Sequence, residues 1–349
     1  MTPGIRRGGD GSVGGQSMGL AECPLFGLSD PRELAALLCT PLRSLQRIAF
    51  ASDNYTALQM ETGGKLRAVN RPCLALAKVQ RRVQHFLNFV PLPDYLHSGV
   101  SGRSNLTNAG VHREDTWLCR IDLKAFFFQV SAARVLRFFR QRMQCGPDVA
   151  TLLTHLNTTN GHVPLGGHCS LQLAFLVAQP LLDDLDRMAR VEYIRFTTYV
   201  DDLCFSGANA TPSFLWAVKQ AIHRHGFRYH HDRYHRPGSR RLVTGVLLHK
   251  GHMAVRPRLT QRIWADWSAL FANESDDMSL RALQGRLAVA QQIDPQYHGA
   301  LDALKAARRD LRKSSGQTLS PASVSAITDR KPLHTQGQRP ASNYFGSDT

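Results

Sequence analysis

The sequence has no CxxC pair, no long apolar run and few acidic residues relative to basic ones. Its seven cysteines are scattered and odd in number, so neither a disulfide framework nor a zinc ribbon is indicated. The most apolar run, residues 171–182, contains two glutamines and a proline, and it is too short and too polar to span a bilayer. No apolar segment follows the N-terminal arginines, so we expect no signal peptide, a cytoplasmic location and no membrane partner.

Positive charge is in clear excess. The 349 residues include 43 Lys+Arg against 27 Asp+Glu, a formal net charge of +16. Such an excess favours polyanionic partners, because neutralising phosphates releases counterions and drives nucleic-acid affinity. Hydrophobic residues make up 43% of the chain, which is enough to bury a core.

Two of the few acids are adjacent and lie in an apolar setting. Asp201 and Asp202 follow Tyr199-Val200 and are flanked by β-branched and aromatic residues, a pattern that predicts a hairpin with acids at its turn. Two neighbouring carboxylates among apolar side chains are unfavourable unless a cation or solvent compensates them. A solvated turn is the alternative, because Asp is a common turn residue.

A third acid, Asp122, interrupts a strand-like apolar run, and three phenylalanines follow at 126–128. Asp122 could instead cap a helix that begins near Lys124. Taken together, the three acids supply hard oxygen ligands of the kind that Mg²⁺ prefers. Two such ions would stabilise both the attacking and the leaving oxygen of a nucleotidyl transfer.

These motifs resemble those of the reverse transcriptases. Tyr199-Val200-Asp201-Asp202 is similar to their YxDD box, and Ile121-Asp122 with Phe126-Phe127 is similar to their upstream Asp motif. Asn108-Ala109-Gly110-Val111-His112 and Val243-Thr244-Gly245 resemble the NAxxH and VTG signatures of the bacterial retron branch. The resemblance extends over roughly residues 55–301, with the four motifs in the family's order.

The resemblance implies an α+β fold, a right-hand polymerase whose fingers and palm combine an antiparallel sheet with helices, followed by a helical thumb. We expect a disordered N-terminus over 1–28, a helical extension over 29–51, fingers and palm over 52–254, a thumb over 255–312 and a disordered tail over 313–349. The implied reaction copies a structured non-coding RNA, as template and primer, into single-stranded DNA with two Mg²⁺ ions, or Mn²⁺ in their place. Anti-phage defence and a separate effector protein are implied as well.

The resemblance also assigns roles to individual residues. Asp122, Asp201 and Asp202 correspond to the catalytic metal ligands. Other residues correspond to dNTP contacts: Lys65 and Arg67 for the triphosphate, Phe127 for exclusion of the ribose 2′-OH, and Arg233 for phosphate charge. RNA contacts are implied for Asn108, His112, Arg256, Arg258 and Arg262.

Several of these assignments have plainer alternatives. Lys65 and Arg67 could lie on a solvated edge strand, and Phe127 could be a core aromatic. Asn108 and His112 are four residues apart, so a helix would place them on one face, where they could brace the palm rather than bind RNA.

The next family motif, at residues 163–175, is altered. Leu165, His168-Cys169, Leu171 and Phe175 stand where the family carries Gln, Pro-Thr, Pro and Asn. Because this loop normally lies against the nascent base pair, two other functions stay open. One is a defence reverse transcriptase outside the retrons with template-free or protein-primed synthesis, and the other is an RNA-binding scaffold with an impaired active site.

Overall fold

The computed structural model describes residues 19–62, 65–271 and 277–313. These residues divide into two compact units. The first runs to Ser104 and continues over Thr116–Pro237, and the second comprises Asn105–Asp115 and the residues from Gly238 onward. Within these ranges, no helix is long and apolar enough to cross a membrane. Of the segments expected to be disordered, 1–28 and 313–349, residues 1–18 and 314–349 lie outside the described residues.

The first unit begins with helices α1 (Pro31–Leu37) and α2 (Leu42–Phe50). Asp30 caps α1 by accepting a hydrogen bond from the Arg32 amide at 2.8 Å, and Pro31 occupies the first turn, as its preorganised backbone favours. We expected residues 19–28 to be disordered, and this expectation was wrong. Their apolar side chains Leu20, Cys23 and Leu25 are buried in the unit's core.

A two-stranded hairpin follows the first helices. Strands β1 (Tyr55–Thr62) and β2 (Lys65–Pro72) pair antiparallel, and helix α3 (Leu74–Leu87) follows. Residues 63–64 between the strands lie outside the described part. The amide of Asn70 on β2 donates to the carbonyl of Leu165 at 2.7 Å, which attaches the hairpin to the altered loop.

Strand β3 (Leu118–Leu123) lies inside a four-stranded antiparallel sheet. Its neighbours are β5 (Asp202–Ser206), with β4 (Arg195–Tyr199) beyond, and β6 (Tyr229–His235) on the other side. Side chains alternate between the two faces of a strand. Cys119, Ile121 and Leu123 are therefore buried in the core, and Arg120 and Asp122 share the opposite face.

The helices that follow β3 and β4 complete the first unit. They are α5 (Phe126–Gln129), α6 (Ala132–Arg137), a π-helical turn (Phe138–Arg142), α7 (Pro147–Asn157), α8 (Ser170–Val191) and α9 (Pro212–Arg224). Their apolar side chains join those of the sheet in a single core, so the sheet's polar face is the one left for chemistry.

The second unit combines a small sheet with a helical bundle. Strands β7 (Arg241–Val243), β8 (Val246–His249) and β9 (His252–Val255) form the sheet, and helix α4 (Asn105–Val111) packs with β7 and β8. Helices α10 (Pro257–Phe271), α11 (Asp277–Ile293) and α12 (His298–Lys313) follow. Trp267, Leu287 and Leu304 are among the residues of a separate hydrophobic core.

This division departs from the expected boundary at residue 254. Residues 105–115 and 238–255 belong with the helices of the expected thumb. A buried arginine links the first of these two segments to the second. The side chain of Arg241 is fully buried and donates to the carbonyl of Glu114 at 2.9 Å, and its guanidinium lies 3.7 Å from the Asp115 carboxylate.

Candidate active site

The three predicted acids meet at one end of the four-stranded sheet. Asp122 on β3 lies directly opposite Asp202 on β5. The amide of Leu123 donates to the carbonyl of Asp201 at 2.9 Å, so Asp201 is fixed beside the same strand end. The structure thus brings together two motifs that are almost 80 residues apart in the chain.

The turn that presents Asp201 is held by a residue that the sequence did not suggest. Val200 has a φ of 60°, a left-handed conformation that is unfavourable for a β-branched residue. The amide of Val200 donates to the hydroxyl of Ser98 at 3.0 Å, and Ser98 itself is buried. The neighbouring His97 amide donates to the carbonyl of Thr198 at 2.9 Å, so residues 97–98 support the edge strand and its turn.

The site concentrates negative charge in a poorly solvated place. Burial, reinforced by the nearby Asp122 and Asp202 carboxylates, raises the pKa of Asp201 to about 6, whereas the charge of Arg67 acts to lower it. Burial also raises the pKa of Asp202, against the opposing effect of Arg120. The carboxylates repel one another because water is too scarce to screen them.

Arg120 partly neutralises this cluster. Its Nη2 lies 2.5 Å from Oδ2 of Asp202, and its Nε donates to Oδ1 at 3.3 Å, a bidentate geometry that fixes the carboxylate. The spacing in the sequence is consistent with this contact, because Arg120 is two residues before Asp122 and its side chain therefore lies on the same face of the strand. Both carboxylate oxygens of Asp202 are consequently engaged with Arg120, and its role as a metal ligand stays a prediction.

Asp122 also has a partner that we did not predict. Nδ1 of His230, on the neighbouring strand β6, lies 2.9 Å from Oδ2 of Asp122. A register shift in the pairing of β3 with β6 between Asp122 and Leu123 accompanies this contact. Both side chains remain partly open to solvent, at 41% and 35% exposure.

The donor set fits a magnesium ion that is completed by its substrate. Among the described residues, no group of three or more His, Cys, Asp and Glu side chains forms a metal cage. Mg²⁺ does not need one, because it is commonly held by one or two carboxylates together with substrate phosphates and water. Asp122 and Asp201 repel each other, and a divalent cation relieves that repulsion.

Comparison with known proteins gives a consistent set of relatives. The chain is 31% identical over 159 residues to the Retron Se72 reverse transcriptase of Salmonella heidelberg (strain 579083-10), covering 44% of this chain and 42% of that protein. It is 26% identical over 314 residues to the Retron Mx162 reverse transcriptase of Myxococcus xanthus, covering 77% and 64%. With the Retron Mx65 reverse transcriptase of the same organism it is 30% identical over 269 residues, covering 69% and 61%.

The chain resembles the retron reverse transcriptases. The matches span less than two thirds of the length of each of these relatives, and no protein-family model matches the chain. A solved structure of the foamy viral protease-reverse transcriptase in complex with double-stranded DNA superposes with a TM-score of 0.50 at 15% identity, covering 79% of this chain and 43% of the viral one. The fold is therefore that of a right-hand polymerase, as predicted.

The residues expected to bind dNTP differ in their exposure and in their contacts. Arg67 is exposed on β2, and its charge reaches Asp201. The side chain of Lys65 lies outside the described residues. Phe127 is partly buried and packs edge to face on Phe126, with ring centroids 5.6 Å apart. Arg233 is exposed on β6, directly opposite Arg120.

The two retron signatures contact each other within the second unit. The hydroxyl of Thr244 donates to the carbonyl of Asn105 at 2.9 Å, and Nδ2 of Asn105 donates to the Thr244 carbonyl at 3.2 Å. Nδ2 of Asn108 reaches the same hydroxyl at 3.4 Å. These bonds hold Thr244 at a φ of 44°, a conformation that costs a β-branched residue free energy.

Burial bears on the two alternatives stated for Asn108 and His112. Both side chains are fully buried, so they do not present their polar atoms to RNA in this conformation. Asn108 contacts the VTG turn through Thr244, which favours a bracing role for it, and RNA binding by either residue stays a prediction.

The three arginines expected to contact RNA phosphates lie at the start of the thumb helices. Arg256 is partly exposed just before α10, and Arg258 and Arg262 are exposed on that helix. Since they are four residues apart, Arg258 and Arg262 share one helix face. Their role stays a prediction.

Proposed function

We propose that the chain is an RNA-directed DNA polymerase of the retron type, which copies a structured non-coding RNA into single-stranded DNA in anti-phage defence. The observation that carries the proposal is the meeting of Asp122 with Asp201 and Asp202 on adjacent strands, at a place where a cation is needed to balance them. The resemblance to retron reverse transcriptases supplies the reaction, the RNA template and the RNA primer.

The side chains divide the work as follows. When bound, two Mg²⁺ ions stabilise the charge on the attacking and leaving oxygens. Asp122 and Asp201 would hold the ions, and Asp202 assists while Arg120 keeps it oriented. Arg67 places a positive charge near Asp201 for the triphosphate of the incoming nucleotide. Phe127 lies on the helical turn after β3, where an aromatic ring would exclude a ribose 2′-OH.

Template-free or protein-primed synthesis is the main competing function, because the loop at 163–175 has lost family side chains. The backbone of that loop argues for templated synthesis. The Leu165 carbonyl is bonded to the Asn70 amide, and a Cβ at Gly166 would come within 2.6 Å of Val69. The loop thus keeps a close, glycine-dependent contact with the fingers strand despite its altered side chains.

An extension assay tests the proposal. The purified protein with its co-purifying nucleic acid, Mg²⁺ and labelled dNTPs should make DNA, and pretreatment with RNase should abolish synthesis. The Asp201→Ala/Asp202→Ala variant should make none. DNA synthesis that survives removal of all nucleic acid would favour the template-free enzyme, and equal inactivity of wild type and variant with bound RNA would favour the scaffold.

A further inference from the structure

A pocket in the first unit is lined by none of the residues assigned above. Its volume is about 350 Å³, which lies in the range of small-molecule sites, about 300–1,000 Å³. It is bordered by α6, the π-helical turn, α8 and the end of α9. Its walls combine arginines with apolar side chains, among them Phe138, Pro180 and Phe227.

The pocket carries a high positive charge. Four arginines line it, namely Arg134, Arg137, Arg142 and Arg224. No carboxylate of the described residues is part of the lining. Burial lowers the pKa of Arg134, and the nearby charge of Arg137 adds to that effect. Like charges gathered in a concave site are unfavourable unless an anion compensates them.

Two of these arginines are held in place by the protein. Nη2 of Arg134 donates to the carbonyl of Gly226 at 2.8 Å, and its guanidinium lies 4.2 Å from the centre of the Phe227 ring. Nη1 of Arg142 donates to the Leu176 carbonyl at 2.5 Å. That carbonyl needs a donor because Pro180, four residues later in α8, has no N–H. Fixed side chains lower the entropy lost when a ligand binds.

The other two arginines are available to a ligand. Arg137 is exposed and has no hydrogen bond or ion pair among the described residues. Arg224 has a side chain that is 67% exposed, and its Nη2 lies 3.8 Å from Asp184. Asp184 already accepts from Arg187 and contacts Nε2 of His225 at 3.2 Å, so it neutralises Arg224 only weakly.

The lining backbone is also unusual. Residues Phe138–Arg142 form a π-helical turn, a rare geometry that is frequently found at functional sites. This turn places Phe138 and Arg142 in the pocket wall. Arg140, in the same turn, is exposed and does not line the pocket.

We propose that this pocket binds a phosphate group, carried either by a nucleotide-sized ligand or by a nucleic-acid strand. Guanidinium groups match phosphate oxygens in bidentate pairs. Two carboxylates act on these arginines from outside the lining, Asp183 on Arg142 and Asp184 on Arg224, so four positive charges leave an excess that an anionic phosphate would balance. The apolar side chains Phe138, Pro180 and Phe227 offer a surface for a flat group next to the phosphate. The proposal is independent of the polymerase activity.

Binding of adenosine monophosphate and of a short oligoribonucleotide tests it. Both probes are titrated into the full chain, freed of bound nucleic acid, in the presence of EDTA, which removes metal-dependent binding at the acids. Arg137→Glu should weaken binding by about tenfold or more, since it removes charge-assisted hydrogen bonds and adds a repulsive charge. Arg140→Glu is the matched control, because it makes the same charge change in an exposed neighbour outside the pocket.

The outcomes are distinct. Binding of the mononucleotide that weakens with Arg137→Glu and not with Arg140→Glu supports a nucleotide-sized ligand. If only the binding of the oligoribonucleotide weakens with Arg137→Glu and not with Arg140→Glu, the pocket binds a phosphate of a nucleic-acid strand. If the two variants bind both probes equally, or if the wild type binds neither, the proposal is wrong. Because both arginines are exposed, urea unfolding should show both variants as stable as the wild type.

Discussion

Replacing Asp201 with Asn should stabilise the metal-free protein, increasingly as the pH rises from about 4 to about 6 and fully above that. The pKa of Asp201 is raised from its ordinary value of 3.8 to about 6 by burial and by its carboxylate neighbours. That difference corresponds to at most about 3 kcal/mol, and partial screening by solvent reduces it to an expected ~1.5–3 kcal/mol. The ionised carboxylate thus destabilises the folded state, and an uncharged amide at the same position does not.

The direction follows from linkage between protonation and folding. Well below pH 3.8, Asp201 is protonated in both the folded and the unfolded chain, so it imposes no penalty. As the pH rises from about 4 to 6, the unfolded chain loses the proton first, and the free energy of unfolding falls. Above pH 6 the penalty is complete. The stabilisation by Asp201→Asn should therefore be small at pH 4.5 and large at pH 8.

Urea unfolding in EDTA at both pH values measures this difference. Asp94→Asn is a suitable control, because the side chain of Asp94 is 95% exposed and its replacement should change stability by less than ~0.5 kcal/mol. A variant Asp201→Asn that is equally stabilised at both pH values, or destabilised at pH 8, would refute the reasoning that the acids repel one another.

Three further outcomes are expected. Mg²⁺ at ten times its Kd should add about 1.4 kcal/mol to the stability of the wild type and much less to that of Asp201→Asn, as measured by thermal unfolding. Arg120→Met should lower the free energy of unfolding by about 3 kcal/mol, because Asp202 loses its partner in a poorly solvated place. Arg233→Met, at an exposed position, should change it little, and urea unfolding of the two variants measures the difference. Thr244→Ala should destabilise the chain by about 1–2 kcal/mol, because the hydroxyl bonds to Asn105 and Asn108 are lost. Thr244→Ser keeps the hydroxyl, so its free energy of unfolding in the same assay should be close to that of the wild type.

The sequence was most informative where a local pattern determines the structure. The hairpin with Asp201 and Asp202 and the strand with Asp122 follow from alternation and turn residues. The fold class and the helical thumb were implied by the resemblance of the motifs to the reverse transcriptases, because local patterns alone do not define how the elements assemble.

The partners themselves could not be predicted in this way. Ser98 and His230 reach the acids only through pairing between segments that are distant in sequence, and Arg120 finds Asp202 across 82 residues. The contacts of Asn105 and Asn108 with Thr244 span 139 and 136 residues. Single-sequence patterns carry no information about such register, which is why the sequence left two roles open for Asn108, whose side chain is completely buried in the structure.

The measurement that tests the central claim most directly is single-nucleotide extension on a defined RNA template. A primer annealed to that RNA is supplied with one labelled dNTP at a time, Mg²⁺ and either the wild type or Asp122→Asn. The account predicts that the wild type adds only the nucleotide complementary to the template base, that changing this base changes the nucleotide added, and that Asp122→Asn adds none. Addition that ignores the template base, or persists at wild-type rate in Asp122→Asn, would contradict it.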